Sequence, residues 1–252
     1  MTLVNKMAVL NKQGAVPLYV QLKKLIEGQI TDGALAAHSR VPSERELSEQ
    51  FGISRMTARQ ALAELIQEGR LYTSVGKGTF VAEPKIHQNL QSLTSFTEDM
   101  LARGLVPTTR IIRREFVLAS ATVASGLHIA EGSNVVCVER LRLADDKPLA
   151  LETACLAFEG AERLLTLDLD GSLYAVLQAE FGLIPTEALE ELDAVLAQPR
   201  ERLLLNLSEG APVLKILRTT FDGQGHAFEY VESVYRGDRY RFVARLIRDD
   251  GL

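Results

Sequence analysis

The stretch SERELSEQFGISRMTARQAL, residues 43–62, predicts two short helices joined by a tight turn. Ser43 and Glu46 have the spacing of a capping box, which indicates that the first helix begins there. Gly52 ends that helix, and Ser54 is placed to cap the next one. A tight connection between two such helices is typical of a helix-turn-helix, so this stretch decides the fold of the first third of the chain.

The second of these helices is predicted to have one apolar and one polar face. Its apolar positions follow the i, i+3, i+4, i+7 spacing of a buried stripe: Ala58, Ala61, Leu62 and Leu65. Its first turns present a different set to the outside: Arg55, Met56, Thr57, Arg59 and Gln60. In a helix-turn-helix these turns enter the major groove, where arginine can bind guanine through two hydrogen bonds. Two arginines are also common on a solvated helix face; the turn and the hairpin that follows favour DNA binding.

Further elements surround this pair of helices. An amphipathic helix is predicted over 17–31. Two β-rich runs, 71–74 and 79–82, are joined by VGKG at 75–78 and predict a hairpin. This VGKG lacks the earlier glycine and the following Ser/Thr of a phosphate-binding loop. We therefore interpret the hairpin as a wing in which Lys77 supplies charge at the sugar-phosphate edge, and we predict a winged helix-turn-helix over residues 12–82.

The net charge of −5 is divided unequally along the 252 residues. Residues 1–82 contain ten Lys/Arg and seven Asp/Glu, whereas 83–252 contain 18 and 26. A mildly basic part joined to an acidic one is typical of a DNA-contacting module carried by a domain that does not bind DNA. No apolar run approaches the roughly 18 residues of a membrane span, and residues 1–11 lack the features of a signal peptide. We expect a cytoplasmic protein without membrane contact.

Catalytic and metal-binding patterns are missing from the sequence. An enzyme would need a nucleophile–base pair, a metal cluster or a cofactor lysine. No ligand spacing relates the four histidines, which are His38, His87, His128 and His226. The two cysteines, Cys137 and Cys155, lie in apolar segments, and we expect them to be reduced thiols in a core. We predict no catalytic residue, no metal and no cofactor.

The rest of the chain is predicted to be an α+β domain. The polar segment 83–92 is interpreted as a linker, and 93–248 as the second domain. Helices are predicted at 96–103, 119–127, 172–181 and 199–207. Strands are predicted at 110–116, 135–144, 148–156, 189–197, 212–220, 227–235 and 241–246. Short turns at 145–147 and 222–225 join consecutive strands, which indicates an antiparallel sheet.

Charged residues interrupt these strands at informative positions. Strand periodicity places Arg140 and Arg142 on one face with two valines, and Glu229 on one face with Tyr235. Glu152 lies in the middle of an apolar strand. Charges beside aliphatic side chains are unfavourable to bury unless they pair or bind something. The pattern alone leaves open an exposed outer face, a structural Arg–Glu pair or a ligand site.

The N-terminal motifs resemble the DNA-binding domain of GntR-family regulators. They are Pro17-Leu18-Tyr19, VPSEREL at 41–47, SRMTARQAL at 54–62 and GKGTFV at 76–81, in family order and spacing. The resemblance implies DNA contacts from the matching positions: Arg45, Ser54, Arg55, Thr57, Arg59 and Gly76. The preceding position, Val75, is apolar where relatives often carry a polar or basic residue, so no base contact is expected from that side chain.

The second domain resembles the effector domain of the HutC subfamily. The resemblance is carried by LTSFTEDM at 93–100, RLR at 140–142, Glu152, SLY at 172–174 and VYRGDRY at 234–240. This domain, called UTRA, has a fold similar to chorismate lyase, so an antiparallel sheet is implied again.

Within that subfamily the chain is most similar to repressors of N-acetylglucosamine utilisation, whose effectors are amino-sugar 6-phosphates. Residues 95–100, Glu229 and 235–240 carry this likeness. It implies that a phosphate is held by guanidinium, hydroxyl and backbone donors from Phe96, Thr97, Arg140, Arg142, Ser172 and Tyr174. It also implies that the sugar hydroxyls and nitrogen meet Glu152, Glu229 and Tyr235. Several of these residues are common throughout the subfamily, so the phosphate is the firmer implication.

Together these features predict a transcriptional repressor that an amino-sugar 6-phosphate (of glucosamine or N-acetylglucosamine) releases from its operator. The expected partners are a two-fold symmetric double-stranded DNA operator, the small anionic effector and a second copy of the chain in a homodimer. Two alternatives remain: a regulator of the same architecture that senses another anion, such as a phosphonate, a fatty acid or urocanate, and a chorismate-lyase-like enzyme with a DNA-binding domain.

Overall fold

The computed structural model describes residues 9–74, 76–83 and 85–246 of the chain. It divides into two compact units, 1–85 and 86–252, each with its own core. Val75, from which no base contact is expected, lies outside the described residues. The predicted end of the second domain, at 247–248, lies outside them as well.

The first unit is the predicted winged helix-turn-helix. Its elements are α1 (Leu18–Thr31), β1 (Arg40–Val41), α2 (Glu44–Phe51), α3 (Arg55–Gln67), β2 (Leu71–Ser74) and β3 (Gly78–Val81). The capping box at Ser43 and Glu46 is present, and Gly52 ends α2 in the left-handed conformation that favours glycine. The predicted apolar stripe of α3 packs against Leu22 and Ile26 of α1 in one core.

A three-stranded antiparallel sheet completes this unit. Its strand order is β1-β3-β2, and the wing is the β2–β3 hairpin. The sequence analysis did not predict β1, because two residues are too short a run to show strand periodicity. β1 places Arg40 opposite Phe80 at the side of the wing.

The second unit is built on a six-stranded antiparallel sheet with the order β5-β6-β7-β10-β9-β8. Its strands are β5 (Pro107–Leu118), β6 (Asn134–Ala144), β7 (Lys147–Leu156), β8 (Glu187–Leu196), β9 (Pro212–Phe221) and β10 (Ala227–Arg236). Its helices are α4 (Phe96–Ala102), α5 (Ala121–Leu127), α6 (Leu173–Phe181), α7 (Pro199–Leu205) and a 3₁₀ turn at Ala161–Leu165. The α+β class and the antiparallel sheet are confirmed.

Helices cover both faces of this sheet. α4 and α6 pack on the face that carries the even-numbered side chains of β6, and α5 and α7 pack on the other. Gly126 lets α5 approach closely, because a Cβ there would stand 2.2 Å from the ring of Tyr230. The β6–β7 turn uses Asp145 and Asp146 with positive φ, as a tight hairpin requires.

A second, two-stranded sheet lies in the segment interpreted as a linker. Residues Ile86–Asn89 form β4, which pairs in parallel with β11 (Tyr240–Val243). The Arg103 guanidinium donates hydrogen bonds to the His87 carbonyl and to Gln88, which ties β4 to the end of α4. Residues 86–92 therefore belong to the second unit in the structure, and the chain between β3 and β4 spans only 82–85.

The expectation of reduced thiols is wrong in the structure. Cys137 and Cys155 are joined by a disulfide. The antiparallel register places them directly opposite each other on β6 and β7, with their Cα atoms 4.1 Å apart. The spacing of the two cysteines along the sequence does not reveal how β6 and β7 are aligned, which is why the pairing was missed.

Candidate functional site

The surface predicted to meet DNA is built on the start of α3. The Ser54 hydroxyl accepts a hydrogen bond from the Thr57 amide at 3.0 Å and lies 2.8 Å from the Thr57 hydroxyl. Ser54 is therefore the N-cap of the helix as well as a residue of this surface. Arg55 and Arg59 are exposed one turn apart, so both guanidiniums are free to reach a groove.

A basic groove lies between α3 and the wing. It has a volume of about 530 Å³ and contains Arg45, Arg55 and Arg59 along its walls. Lys77 and Gly76 are exposed at the wing turn, where Gly76 and Gly78 have φ of 73° and 113°. A turn with two positive φ values favours glycine, and the missing side chains let the backbone approach a phosphate. Of the seven predicted DNA-contact residues, Arg45, Arg55 and Arg59 line this groove; Ser54 and Thr57 lie at the start of α3, and Gly76 and Lys77 lie in the wing turn.

Arg40 is a residue of this groove that the sequence analysis missed. It is exposed on β1, and its Nε would stand 3.2 Å from a Cβ placed on Gly78, so its side chain runs along the side of the wing toward the turn. The Arg40 guanidinium forms an ion pair with the Glu46 carboxylate at 4.0 Å, and exposed ion pairs of this kind are weak. Only the pairing of β1 with β3 reveals this position.

A cavity in the second unit collects most of the predicted effector residues. It lies on the sheet face covered by α4 and α6. Seven predicted residues line it: Phe96, Arg140, Arg142, Glu152, Tyr174, Glu229 and Tyr235. The side chains leave about 30 Å³ open, which is room for only about two water molecules. We call this space the inner cavity.

Arg142 is the most buried cation of the inner cavity, with 2% of its surface exposed. Its guanidinium donates to the hydroxyls of Thr109 (2.8 Å) and Thr97 (2.9 Å) and to the Gly171 carbonyl (3.4 Å), all of them neutral acceptors. It also lies over the Phe96 ring, with its Cζ 4.7 Å from the ring centre. Burial and the neighbouring Arg140 lower the pKa of Arg142 to about 10. A buried cation without a carboxylate partner is a strong attractor for an anion.

Arg140 and Glu152 form a buried ion pair, since the sheet register places them directly opposite each other. Burial alone would raise the pKa of Glu152, but the guanidiniums of Arg140 and Arg142 outweigh it and lower that pKa. The structural pair left open by the sequence pattern therefore exists. The pair uses one terminal nitrogen of Arg140. Within the described residues, Arg140 Nε and Nη1 are buried without a protein partner, and so is Arg142 Nε. These N–H groups remain available to a ligand.

Glu229 is held on the other side of the inner cavity. Its Oε2 accepts hydrogen bonds from the hydroxyls of Thr220 (2.7 Å) and Tyr174 (3.1 Å). Burial raises the pKa of Glu229, and burial together with Glu229 raises that of Tyr174. Tyr174 and Glu229 are thus fixed in orientation, and they add hydroxyl and carboxyl groups to the lining of the cavity.

Two predicted effector residues do not line the inner cavity. Thr97 reaches it through its hydrogen bond to Arg142. Ser172 is the N-cap of α6, where its hydroxyl accepts a hydrogen bond from the Ala175 amide at 3.3 Å. Ser172 lies one residue from Gly171, whose carbonyl contacts Arg142, so it is near the phosphate position that was predicted.

Arg218 is a cavity residue that the sequence analysis missed. It lies on β9 opposite Val231 of β10, and it faces the same side of the sheet as Glu229. Its guanidinium contacts Glu190 Oε1 of β8 at 2.5 Å and donates to the Tyr174 hydroxyl at 3.3 Å. Strand alternation predicts which face of the sheet Arg218 lies on, but it does not predict which residues lie beside it. Its place in the site therefore depends on the register of the strands.

Within the described residues, no group of three or more His, Cys, Asp or Glu side chains is arranged to hold a metal ion. In the same part of the chain, no helix combines the length and apolar character needed to cross a bilayer.

Two protein families match the sequence. Residues 18–81 match the family described as bacterial regulatory proteins, gntR family, and residues 102–241 match the UTRA domain. The first match contains α1 to β3, and the second contains the six-stranded sheet and most of the residues that line its cavity; Ser95 and Phe96 precede it.

Individual relatives match over nearly the whole chain. The HTH-type transcriptional repressor NagR of Bacillus subtilis is 44% identical over 93% of this chain and 96% of its own. The histidine utilization repressor of Pseudomonas aeruginosa is 35% identical over 91% of each chain. Among solved structures, PhnF from Mycobacterium smegmatis matches with a TM-score of 0.63 and 32% identity, covering 91% of this chain and 98% of that one.

These matches decide between a regulator and an enzyme. The chain has the two domains of a regulator family in the same order, and the two curated relatives named above, which match over both domains, are repressors. The alternative of a chorismate-lyase-like enzyme is therefore excluded, and the prediction of a non-enzyme is confirmed. The chain belongs to the GntR family of bacterial transcription regulators, in its HutC subfamily, and is a repressor with a DNA-binding winged helix-turn-helix and a UTRA effector domain.

Proposed function

We propose that this repressor leaves its operator when a phosphorylated small molecule, specifically an amino-sugar 6-phosphate, binds in the inner cavity. The observation that carries the proposal is the buried Arg142, which has only neutral acceptors around it and an unpartnered Nε. A phosphate dianion matches these donors and those of Arg140, since guanidiniums bind phosphates through paired, charge-assisted hydrogen bonds.

The amino sugar is supported by the other polar side chains of the inner cavity. Glu152, Glu229 and Tyr235 supply acceptors and a hydroxyl where a sugar ring attached to the phosphate would lie. The resemblance to repressors of N-acetylglucosamine utilisation points to the same ligand, and NagR is 44% identical. A fatty acid fits less well, because the inner cavity is lined by five charged side chains: Arg140, Arg142, Glu152, Arg218 and Glu229.

Effector entry has to move side chains, because the inner cavity has only about 30 Å³ open. Phe96 and Thr97, at the start of α4, contact Arg142 directly. α4 follows β4 and the segment after it, so displacement of Phe96 acts on the chain that leads back to the DNA-binding domain. Release follows if the effector favours a domain arrangement that no longer fits the operator. Residues 82–85 then form the hinge.

The proposed assembly is a homodimer that binds a two-fold symmetric operator. The edge strands of the effector domain carry apolar surface that a second copy would bury: Phe116, Leu118, Val195 and Leu196. Sedimentation equilibrium should give twice the chain mass of 27.7 kDa, and a monomer at micromolar concentration would contradict the proposal.

The function is tested by measuring release from DNA. A duplex selected by the full-length protein from a random library is labelled, and binding is followed by fluorescence anisotropy. Glucosamine 6-phosphate, N-acetylglucosamine 6-phosphate, inorganic phosphate, a phosphonate and urocanate are then added. We expect the two amino-sugar phosphates to release the duplex at the lowest concentrations. Release by urocanate alone would contradict the proposal.

Variants assign the two sites. Arg142→Met should bind the duplex normally but resist release, since methionine fills the space without providing donors. Arg55→Ala should weaken DNA binding and keep effector binding. Normal release of Arg142→Met would show that the phosphate assignment is wrong.

A further inference from the structure

The inner cavity adjoins a second, larger space, and most of the residues that line this space were not predicted to bind the effector. This outer cleft has a volume of about 490 Å³, within the range of small-molecule sites. It shares five lining residues with the inner cavity: Phe96, Glu152, Ile216, Arg218 and Tyr235. A ligand anchored in the inner cavity can therefore extend directly into the outer cleft.

Arg218 stands at the boundary between the two spaces. Glu190 accepts its Nε hydrogen bond at 2.5 Å, and Tyr174 accepts one from its Nη1 at 3.3 Å. Because Glu190 lines the outer cleft and Tyr174 lines the inner cavity, this chain of contacts fixes the guanidinium where the two spaces meet.

The charges of the outer cleft differ from those of the inner cavity. Asp99, Glu187 and Glu190 line the outer cleft, and among its described lining residues Arg218 is the one cation. Arg218 is already paired with Glu190. A second phosphate would therefore be repelled, whereas a neutral group with many hydroxyls would not.

The remaining walls provide hydrogen-bonding groups on one side and rings on the other. The end of β4 and the residues that follow it contribute side-chain amides and hydroxyls: Gln88, Asn89, Gln91, Ser92 and Thr94. The packed rings of Tyr235, Tyr240 and Phe242 provide the apolar part of the lining, and their centroids lie 4.6 to 6.1 Å apart. Aromatic surface with a few convergent polar groups is a common lining of small-molecule sites, and here it matches the apolar and hydroxyl faces of a sugar ring.

We propose that the outer cleft is a subsite for a second, uncharged sugar ring, so that the effector class includes disaccharides phosphorylated on one ring. This inference rests on the proposed function, because the inner cavity has to hold the phosphorylated ring. β8 offers a way to separate the two spaces: Ala188 lines the outer cleft only, and its neighbour Leu189 is 61% exposed on the opposite face of the strand.

The test uses isothermal titration calorimetry on the full-length protein. The probes are N-acetylglucosamine 6-phosphate and a disaccharide of N-acetylglucosamine with one O6 phosphate. We expect the wild type to bind the disaccharide at least tenfold more tightly. Ala188→Trp, which fills the outer cleft, should abolish that advantage and leave the monosaccharide affinity within twofold. Leu189→Trp is the matched control and should change neither, with the assembly mass of each variant checked by sedimentation.

Three results would overturn the subsite. The first is a wild type that binds the disaccharide no more tightly than the monosaccharide. The second is an Ala188→Trp effect that is equal for both ligands, which would place the single ring in the outer cleft. The third is an Ala188→Trp variant that keeps the disaccharide advantage. In each case the monosaccharide still binds, so the proposed function survives; failure of both probes would instead reject the amino-sugar effector itself.

Discussion

The DNA-binding surface and the effector cavity both depend on arginines, but they hold them in opposite ways. Arg55 and Arg59 are exposed on α3 and need no partner, because water solvates them. Arg140 and Arg142 are 4% and 2% exposed, and each is held by hydrogen bonds or an ion pair. An exposed arginine can therefore be lost without harm to the fold, whereas a buried one is part of the fold as well as of the site.

In the function proposed here, this difference sets how effector and DNA are recognised. On the exposed surface, binding energy comes from contacts made only when DNA arrives, and salt screens them. In the cavity, desolvation has already occurred on folding, so the unpartnered N–H groups of Arg140 and Arg142 are ready for an anion. The two sites should therefore respond differently to the same kind of substitution.

The largest expected effect is on stability, from Arg140→Met. This change leaves Glu152 buried without its ion-pair partner, which costs about 3–5 kcal/mol. Urea unfolding of the full chain, followed by circular dichroism, measures it. The double variant Arg140→Met/Glu152→Met should recover most of the loss, because both charges are then absent. A double variant as unstable as the single one would show that the pair itself is not the cause.

The second effect is on DNA affinity, from Arg55→Ala. Loss of one bidentate contact to a base costs about 1–3 kcal/mol, which is roughly 5- to 150-fold in Kd. Stability should change by less than about 0.5 kcal/mol, because the side chain is exposed. Anisotropy titrations and urea unfolding measure the two quantities, with Lys24→Ala as a control for the loss of an exposed charge on α1. Equal affinity of Arg55→Ala and wild type would remove Arg55 from the contact surface.

A smaller effect is expected from pH at Glu229. Burial raises the pKa of Glu229 above 4.5, so the folded protein holds this proton more tightly than the unfolded chain does. Unfolding therefore releases a proton between pH 4.5 and the raised pKa, and the stability of the wild type falls as the pH rises through that window. Glu229→Gln should not show this fall in stability, because glutamine has no proton to release.

The Tm of Glu229→Gln relative to wild type should accordingly increase from pH 4 to pH 7.5. Thermal unfolding at several pH values measures the difference. Glu232→Gln lies on the other face of β10 and reports the effect of removing a more exposed carboxylate. A Tm difference for Glu229→Gln that does not change with pH would contradict a raised pKa.

The contrast between the two sites also explains what the sequence could predict. Most of the predicted DNA-binding surface lies on α3, its cap and one hairpin, so local spacing was enough to predict Arg55, Thr57 and Arg59. The cavity is assembled from four neighbouring strands and two helices. Periodicity gave the face of Arg140 and Glu229, but only the register brings Arg218 and Glu190 beside them. The Cys137–Cys155 disulfide was missed for the same reason.

Arg40 marks the limit of that local reasoning and carries the smallest expected effect. It enters the groove only through the two-residue strand β1, and we expect it to contact a phosphate and not a base, because its side chain lies along the side of the wing. Arg40→Ala should weaken binding to selected and unrelated duplexes alike, by roughly fivefold at 0.15 M salt, and should reduce the slope of log K against log salt by about 0.9.

Competition titrations at several salt concentrations measure both quantities, and Lys24→Ala, which does not line the groove, should leave the slope unchanged. Because a phosphate contact is blind to sequence, the ratio of specific to nonspecific affinity must stay constant for Arg40→Ala, whereas it must fall for Arg55→Ala. A fall in that ratio for Arg40→Ala would move Arg40 from the phosphate contacts to the base contacts, and the reading surface would then extend beyond α3 to the side of the wing.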